Sequence, residues 1–262
     1  MTRSRRWMWP VINATSLFLA LLLNGLANAL PLNGMTTGAL SELYPNLFVP
    51  MGATFSIWAL IYSWLLLFVG YGFVVERAKR DRNPLETIGP WFAVNMVANA
   101  AWIVAWHWMA IPVSVGLMGI ILASLIVMYL RLRVGISAVC PADRWLIHAP
   151  MSVYMGWITV AAIANITTQA VDLGAPAFGQ GPAWLTTCMI GAAVLIAGRM
   201  LWTRRDGLFA LVIMWALLGI HLKQSASEAA GSALVADAAL GALGTLCVGM
   251  VLVGLRGWRD RG

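Results

Sequence analysis

Charge is what this chain lacks. Asp, Glu, Lys and Arg make up 10% of its 262 residues, against roughly a quarter in a soluble domain, which excludes an ordinary water-soluble globule. Cysteine is scarce as well. Cys140, Cys188 and Cys247 show no CxxC spacing, which excludes a disulfide framework or a thiolate zinc site, and all three read as structural. Ten-residue segments of strict alternation are missing, so a transmembrane β-barrel is excluded. HExxH, an acid-rich magnesium motif and a Ser/His/Asp spacing are also missing. No catalytic centre is marked, and the chain does not read as an enzyme.

What is present is apolar length. Hydrophobic residues are 61% of the chain and mean hydropathy is +0.81. They fall in runs of about twenty, enough to cross a hydrocarbon core of roughly 30 Å as helix. The expected fold is all-α, a polytopic transmembrane helix bundle. Its spans lie near 9–30, 54–75, 90–108, 113–130, 146–167, 184–202, 207–222 and 234–255. The first is too long for a signal peptide and lacks a clear cleavage site, so it reads as a retained anchor.

The connections alternate in charge. Arg3, Arg5, Arg6, Arg77, Lys79, Arg80, Arg82, Arg131, Arg133 and Arg144 fall on one side, as do Arg199, Arg204, Arg205, Arg256, Arg259 and Arg261. Only Lys223 falls opposite. Because cytoplasmic connections carry the excess of Lys and Arg, both termini are expected in the cytoplasm, with the bundle in a bacterial cytoplasmic membrane. The net charge of +7 then reflects topology and attraction to anionic headgroups; nucleic acid is not an expected partner.

The long loops are residues 31–53 and 168–183, both on the side opposite the arginines. The first carries three prolines and three glycines and could cap the helix ends; the second reads as a flexible connection. The MAIP turn at 109–112 makes the third and fourth spans a hairpin. Gly241, Gly244, Gly249 and Gly254 suggest close packing of the last span. No internal repeat is evident, which counts against an inverted-repeat transporter.

Polar residues inside the spans fall in stripes. Asn13, Asn24 and Asn28 share a face of the first, and Asn95, Asn99, Trp102 and Trp106 a face of the third. Pro150, Tyr154, Trp157, Ala161 and Asn165 do so in the fifth, and Phe55, Trp58 and Tyr62 in the second. Unpaired amides facing lipid would forfeit their hydrogen bonds, so the stripes must face one another or a cavity. They either line one site in the outer half or only tie helices together. Trp7, Trp9, Trp91, Trp108, Trp145, Trp184 and Trp258 sit near span ends and read as an interfacial belt. His107 and His221 could meet at the outer surface, without the further ligands a metal site needs. Asp237 sits at the interface if the last span begins at Ala238, where it could pair with Lys223.

Three of these stretches carry a resemblance. FVPMGATFSIWALIY, NMVANAAWIVAWH and WITVAAIAN resemble, in order, the second-, third- and fifth-helix motifs of the tryptophan-rich sensory protein (TspO/translocator) family. The resemblance covers about residues 10–167. It implies a five-helix core over residues 1–167, a connection at 168–183, and about three additional C-terminal transmembrane helices over 184–262. It also implies a pocket for a porphyrin, heme-type, sterol-like or other planar apolar ligand, in a sensor, receptor or carrier, with no required cofactor. By matched position the ligand-binding candidates are Phe55, Trp58, Tyr62, Asn99, Trp102, Trp157, Ala161 and Asn165, with Pro45 and Pro50 in the capping loop. The loop reads VPM where the family has a Trp-Thr-Pro-Pro run, which implies a different cap geometry, and AAIAN lacks an aromatic, which implies a wider or differently shaped pocket. A loose sterol-contact pattern falls at Leu125 to Arg131. The partners expected are the bilayer and a small planar ligand, with a homodimer left open. Two other functions remain: a secondary transporter of a small organic solute, and an enzyme acting on a tetrapyrrole or isoprenoid through His107, His221 or Asp237.

Overall fold

The structure, a computed structural model, describes residues 7–30, 32–78, 83–175 and 183–259, with only the backbone of 257–259. Arg3, Arg5, Arg6, Lys79, Arg80, Arg82, Arg261, the side chains of Trp258 and Arg259, and loop residues 176–182 lie outside the described residues.

Among the described residues, eight helices run seventeen residues or more. They are α1 (Met8–Ala29), α2 (Ile57–Arg77), α3 (Trp91–His107), α4 (Ile111–Arg131), α5 (Ala149–Asp172), α6 (Ala183–Arg204), α7 (Gly207–Ser225) and α8 (Ser232–Arg259). Seven helical segments have the length and hydropathy to cross a membrane. The eighth helix, α3, has 17 residues and rises about 25 Å, close to the shortest spanning length. It is nonetheless central, packed between α1 and α4, with Phe92, Asn95, Met96 and Asn99 buried. Helix α4 packs on α5, and α7 lies against α5 while also packing on α6 and α8. The tight reversal into α4 places Met109 at φ 54°.

Several expectations change. Helix α5 continues to Asp172, so residues 168–172 are helix rather than loop. It is entered through a π turn at Arg144–His148, just before Pro150, which has no N–H to give. Helix α8 begins at Ser232, which puts Asp237 in its second turn with an exposed side chain. An added Cβ at Gly241, Gly244 or Gly254 would meet nothing within 4 Å, and at Gly249 only Leu201 at 3.6 Å. The contact side of α8 is built from Val235, Ala239, Ala242 and Leu246; the glycines mostly face outward. Cys188 and Cys247 are exposed on helix surfaces rather than packed. In the sterol-like pattern Leu125 and Tyr129 are buried, because Tyr129 is bonded to Asp206.

Candidate functional site

The chain between α1 and α2 builds a cap over the end of the bundle opposite most of the arginines. Asn33 Nδ2 donates to His107 O at 2.9 Å, in a left-handed conformation of φ 56° that Asn tolerates better than most residues. Thr36 then caps a short helix, Thr37–Glu42, by accepting from Ala39 N. Trp106 Nε1 donates to Thr37 O at 3.3 Å, and the Thr37 hydroxyl donates to Asn28 Oδ1. Asn46 Oδ1 accepts from Phe48 N and Val49 N, folding residues 46–50 into a buried turn. Pro50 is buried, whereas Pro45 is exposed.

Helix α7 holds the remainder of the cap. Gln224 Nε2 donates to Leu47 O at 3.0 Å, Trp215 Nε1 donates to Thr54 O at 2.9 Å, and Met51 N donates to Gly219 O at 3.2 Å. Only a residue without a side chain fits at 219, where a Cβ would approach Thr54 Oγ1 to 2.1 Å.

Beneath the cap the aromatic residues meet. Trp58 stacks on Tyr62, with centroids 5.2 Å apart, and meets Tyr154 and Trp157 edge to face at 6.0 and 6.4 Å. Phe55 meets Trp157 edge to face at 5.7 Å, and Trp102 stacks on Trp106 at 5.7 Å. These are favourable offsets for ring pairs. They surround a small cavity of about 50 Å³ whose lining includes Pro50, Phe55, Trp58, Trp102, Trp157 and Asn165. Ala161 lines it too. The Trp102 and Trp157 indole N–H groups have no partner among the described residues.

A second hollow adjoins it. A groove of about 770 Å³ runs between α1 and α2, floored by Trp102 and roofed by Thr37–Glu42. Tyr62, Asn24, Asn28 and Glu42 line this groove. Phe55, Trp58 and Trp102 line both hollows. Trp58 is thus a partition between them, and the TFSIWALIY stretch is a wall rather than a lipid anchor.

Asn99 stands apart from the other candidates. It lines neither hollow and acts as a junction. Its Oδ1 accepts from Asn24 Nδ2 at 2.9 Å and from Tyr62 OH at 3.0 Å. Its Nδ2 donates to Tyr154 OH at 3.2 Å, so one amide ties α1, α2, α3 and α5. Asn99→Leu leaves those partners without their bonds and is expected to lower unfolding free energy by about 1–3 kcal/mol. Denaturation in mixed micelles measures it, and a change under about 0.5 kcal/mol would contradict the junction.

The other amides also tie helices. Asn95 Nδ2 donates to Ile121 O and Ser124 Oγ, and Asn165 Nδ2 donates to Ser114 Oγ, both on α4. Asn13 is buried with neither amide atom bonded among the described residues. His107 Nδ1 engages Ile103 O and His221 Nδ1 engages Ala236 O. The two histidines have separate partners and, like Asp237, line neither hollow.

A family model described as TSPO-like protein matches residues 10–252. The chain belongs to the TSPO-like family. No curated protein and no solved structure matches it. Family membership and the apolar helices together make it an integral membrane protein. The match runs past α5 into α8, so the three C-terminal helices lie within the TSPO-like region, consistent with α7 serving as a support for the cap. Sequence reasoning missed Thr37 and Ser41, which reach the cavity from the cap; the signal at hand was Thr36, a helix-capping residue ahead of an apolar turn.

Proposed function

We propose that this TSPO-like protein binds a planar apolar ligand, with a tetrapyrrole as first candidate, as a sensor, receptor or carrier. The observation that carries the proposal is the groove. Its volume of about 770 Å³ falls within the roughly 300–1,000 Å³ of small-molecule sites, and its inner wall is aromatic. The smaller cavity, at about 50 Å³, has room for only a few water molecules. A flat ligand therefore enters between α1 and α2 and lies against Trp58, Tyr62 and Trp102. Rotation of the Trp58 and Phe55 rings would join the hollows and bring the free indole N–H groups to acceptors at the ligand's edge. With the arginine-rich helix ends in the cytoplasm, the groove opens to the outer half of the bilayer.

The test is titration of purified protein with protoporphyrin IX, followed by the porphyrin absorption band. Saturable binding is expected, weakened about tenfold in a Trp58→Leu/Trp157→Leu double variant. That factor corresponds to roughly 1.4 kcal/mol, within the range of two lost ring contacts. Equal affinity of the double variant and the wild type would reject the site.

A further inference from the structure

We infer that a second site, independent of the aromatic one, holds the phosphate of an anionic phospholipid at the arginine-rich end. A groove of about 340 Å³ opens there between α4, α5 and α6. Its lining joins two arginines, Arg199 and Arg204, to an aliphatic wall that includes Ile126, Leu130, Ile136 and Met155, and contains no acid among the described residues. That pairing of cations with exposed hydrocarbon matches a lipid headgroup followed by its acyl chain. Leu130 and Ile136 are 52% and 53% exposed, so the wall faces outward.

The placement of Arg199 strengthens the case. It lies five residues before the end of α6, about 7.5 Å inside it, and its side chain is exposed. A guanidinium at that depth needs a counter-anion or a path to the headgroups. Arg204 is already oriented: its Nη1 donates to Val134 O at 2.9 Å, and its guanidinium lies 5.1 Å from the Tyr129 ring centroid. Asp206, the acid that shares Tyr129 with Arg204, does not line the groove. It accepts from Tyr129 OH, Ser152 Oγ and Phe209 N. No acid lies beside the two guanidinium groups among the described lining residues, so an anion from outside completes the groove, and the adjoining aliphatic wall selects a lipid over a free anion.

Native mass spectrometry of the purified full chain tests this, with dioleoylphosphatidylglycerol against dioleoylphosphatidylcholine as probes. The wild type is expected to retain the anionic lipid preferentially. Arg199→Gln should weaken retention about fivefold, the factor that loss of one basic group near an anionic surface carries. Leu130→Trp, which fills the groove without changing charge, should weaken it as well. Arg256→Gln removes the same charge outside the groove, from a guanidinium 4.9 Å from the Trp202 ring, and should leave retention unchanged. Equal retention of both lipids overturns the site, as does an equal loss in Arg256→Gln. Displacement of the lipid by millimolar inorganic phosphate would show a simple ion site and overturn it too. Melting in lipid-free detergent checks folding; if Arg199→Gln melts early, Leu130→Trp decides.

Discussion

Asp206→Ala is expected to lower unfolding free energy by about 3 kcal/mol or more, the largest effect of any single replacement proposed for this chain. Asp206 is buried between α6 and α7. Its Oδ2 accepts from Tyr129 OH at 2.5 Å and from Ser152 Oγ at 2.7 Å, and its Oδ1 accepts from Phe209 N at 3.1 Å. Alanine would remove the N-cap of α7, worth about 1 kcal/mol, and strand two buried hydroxyls on α4 and α5. Asp206→Asn keeps the cap and an acceptor oxygen and should cost about 1 kcal/mol. Unfolding in mixed micelles reads both. An Asp206→Ala variant within about 0.5 kcal/mol of wild type would mean that this cluster does not fasten α7 to the preceding helices.

The second large effect is expected at Gly219. Alanine in an open helix interior usually gains up to about 1 kcal/mol over glycine, and Gly116→Ala should show that gain because its Cβ would meet nothing within 4 Å. At Gly219 the same methyl would fall 2.1 Å from Thr54 Oγ1 and 3.0 Å from Pro50 Cβ. The cap must move, at a cost of about 1–3 kcal/mol that opposes the helix gain. Amide exchange at Met51, which donates to Gly219 O, should accelerate about tenfold. Porphyrin affinity should fall by a similar factor, since Pro50 and Phe55 line the cavity. Unchanged exchange at Met51 would show that α7 does not position the cap, whatever the ligand proves to be.

These two positions mark where sequence reading stops. Trp58, Trp102 and Trp157 were legible as inward-facing because helical spacing puts each on a stripe with polar neighbours, and lipid does not accept such a stripe. Asn99 shared the stripe, yet its role as a junction depends on Tyr62, Tyr154 and Asn24 converging from three other helices. Periodicity within one helix carries no information about that convergence. The glycines of α8 misled for the same reason: a small residue permits close approach but does not say that a neighbour is there. Asp206 falls in a short turn, and nothing local in the sequence reveals the hydroxyls of Tyr129 and Ser152 that meet it.

The sequence by itself determined that this chain is a bundle of apolar helices, which residue types face inward on α2, α3 and α5, and to which family it belongs. The first two follow from length, hydropathy and the 3.6-residue period, and the family from sequence motifs along the chain. Only the tertiary structure decided that α7 holds the cap, that Trp58 divides a small cavity from a wider groove, and that Arg199 and Arg204 share a groove with bare aliphatic wall. Each of these is a contact between segments far apart in the chain, set by how whole helices pack.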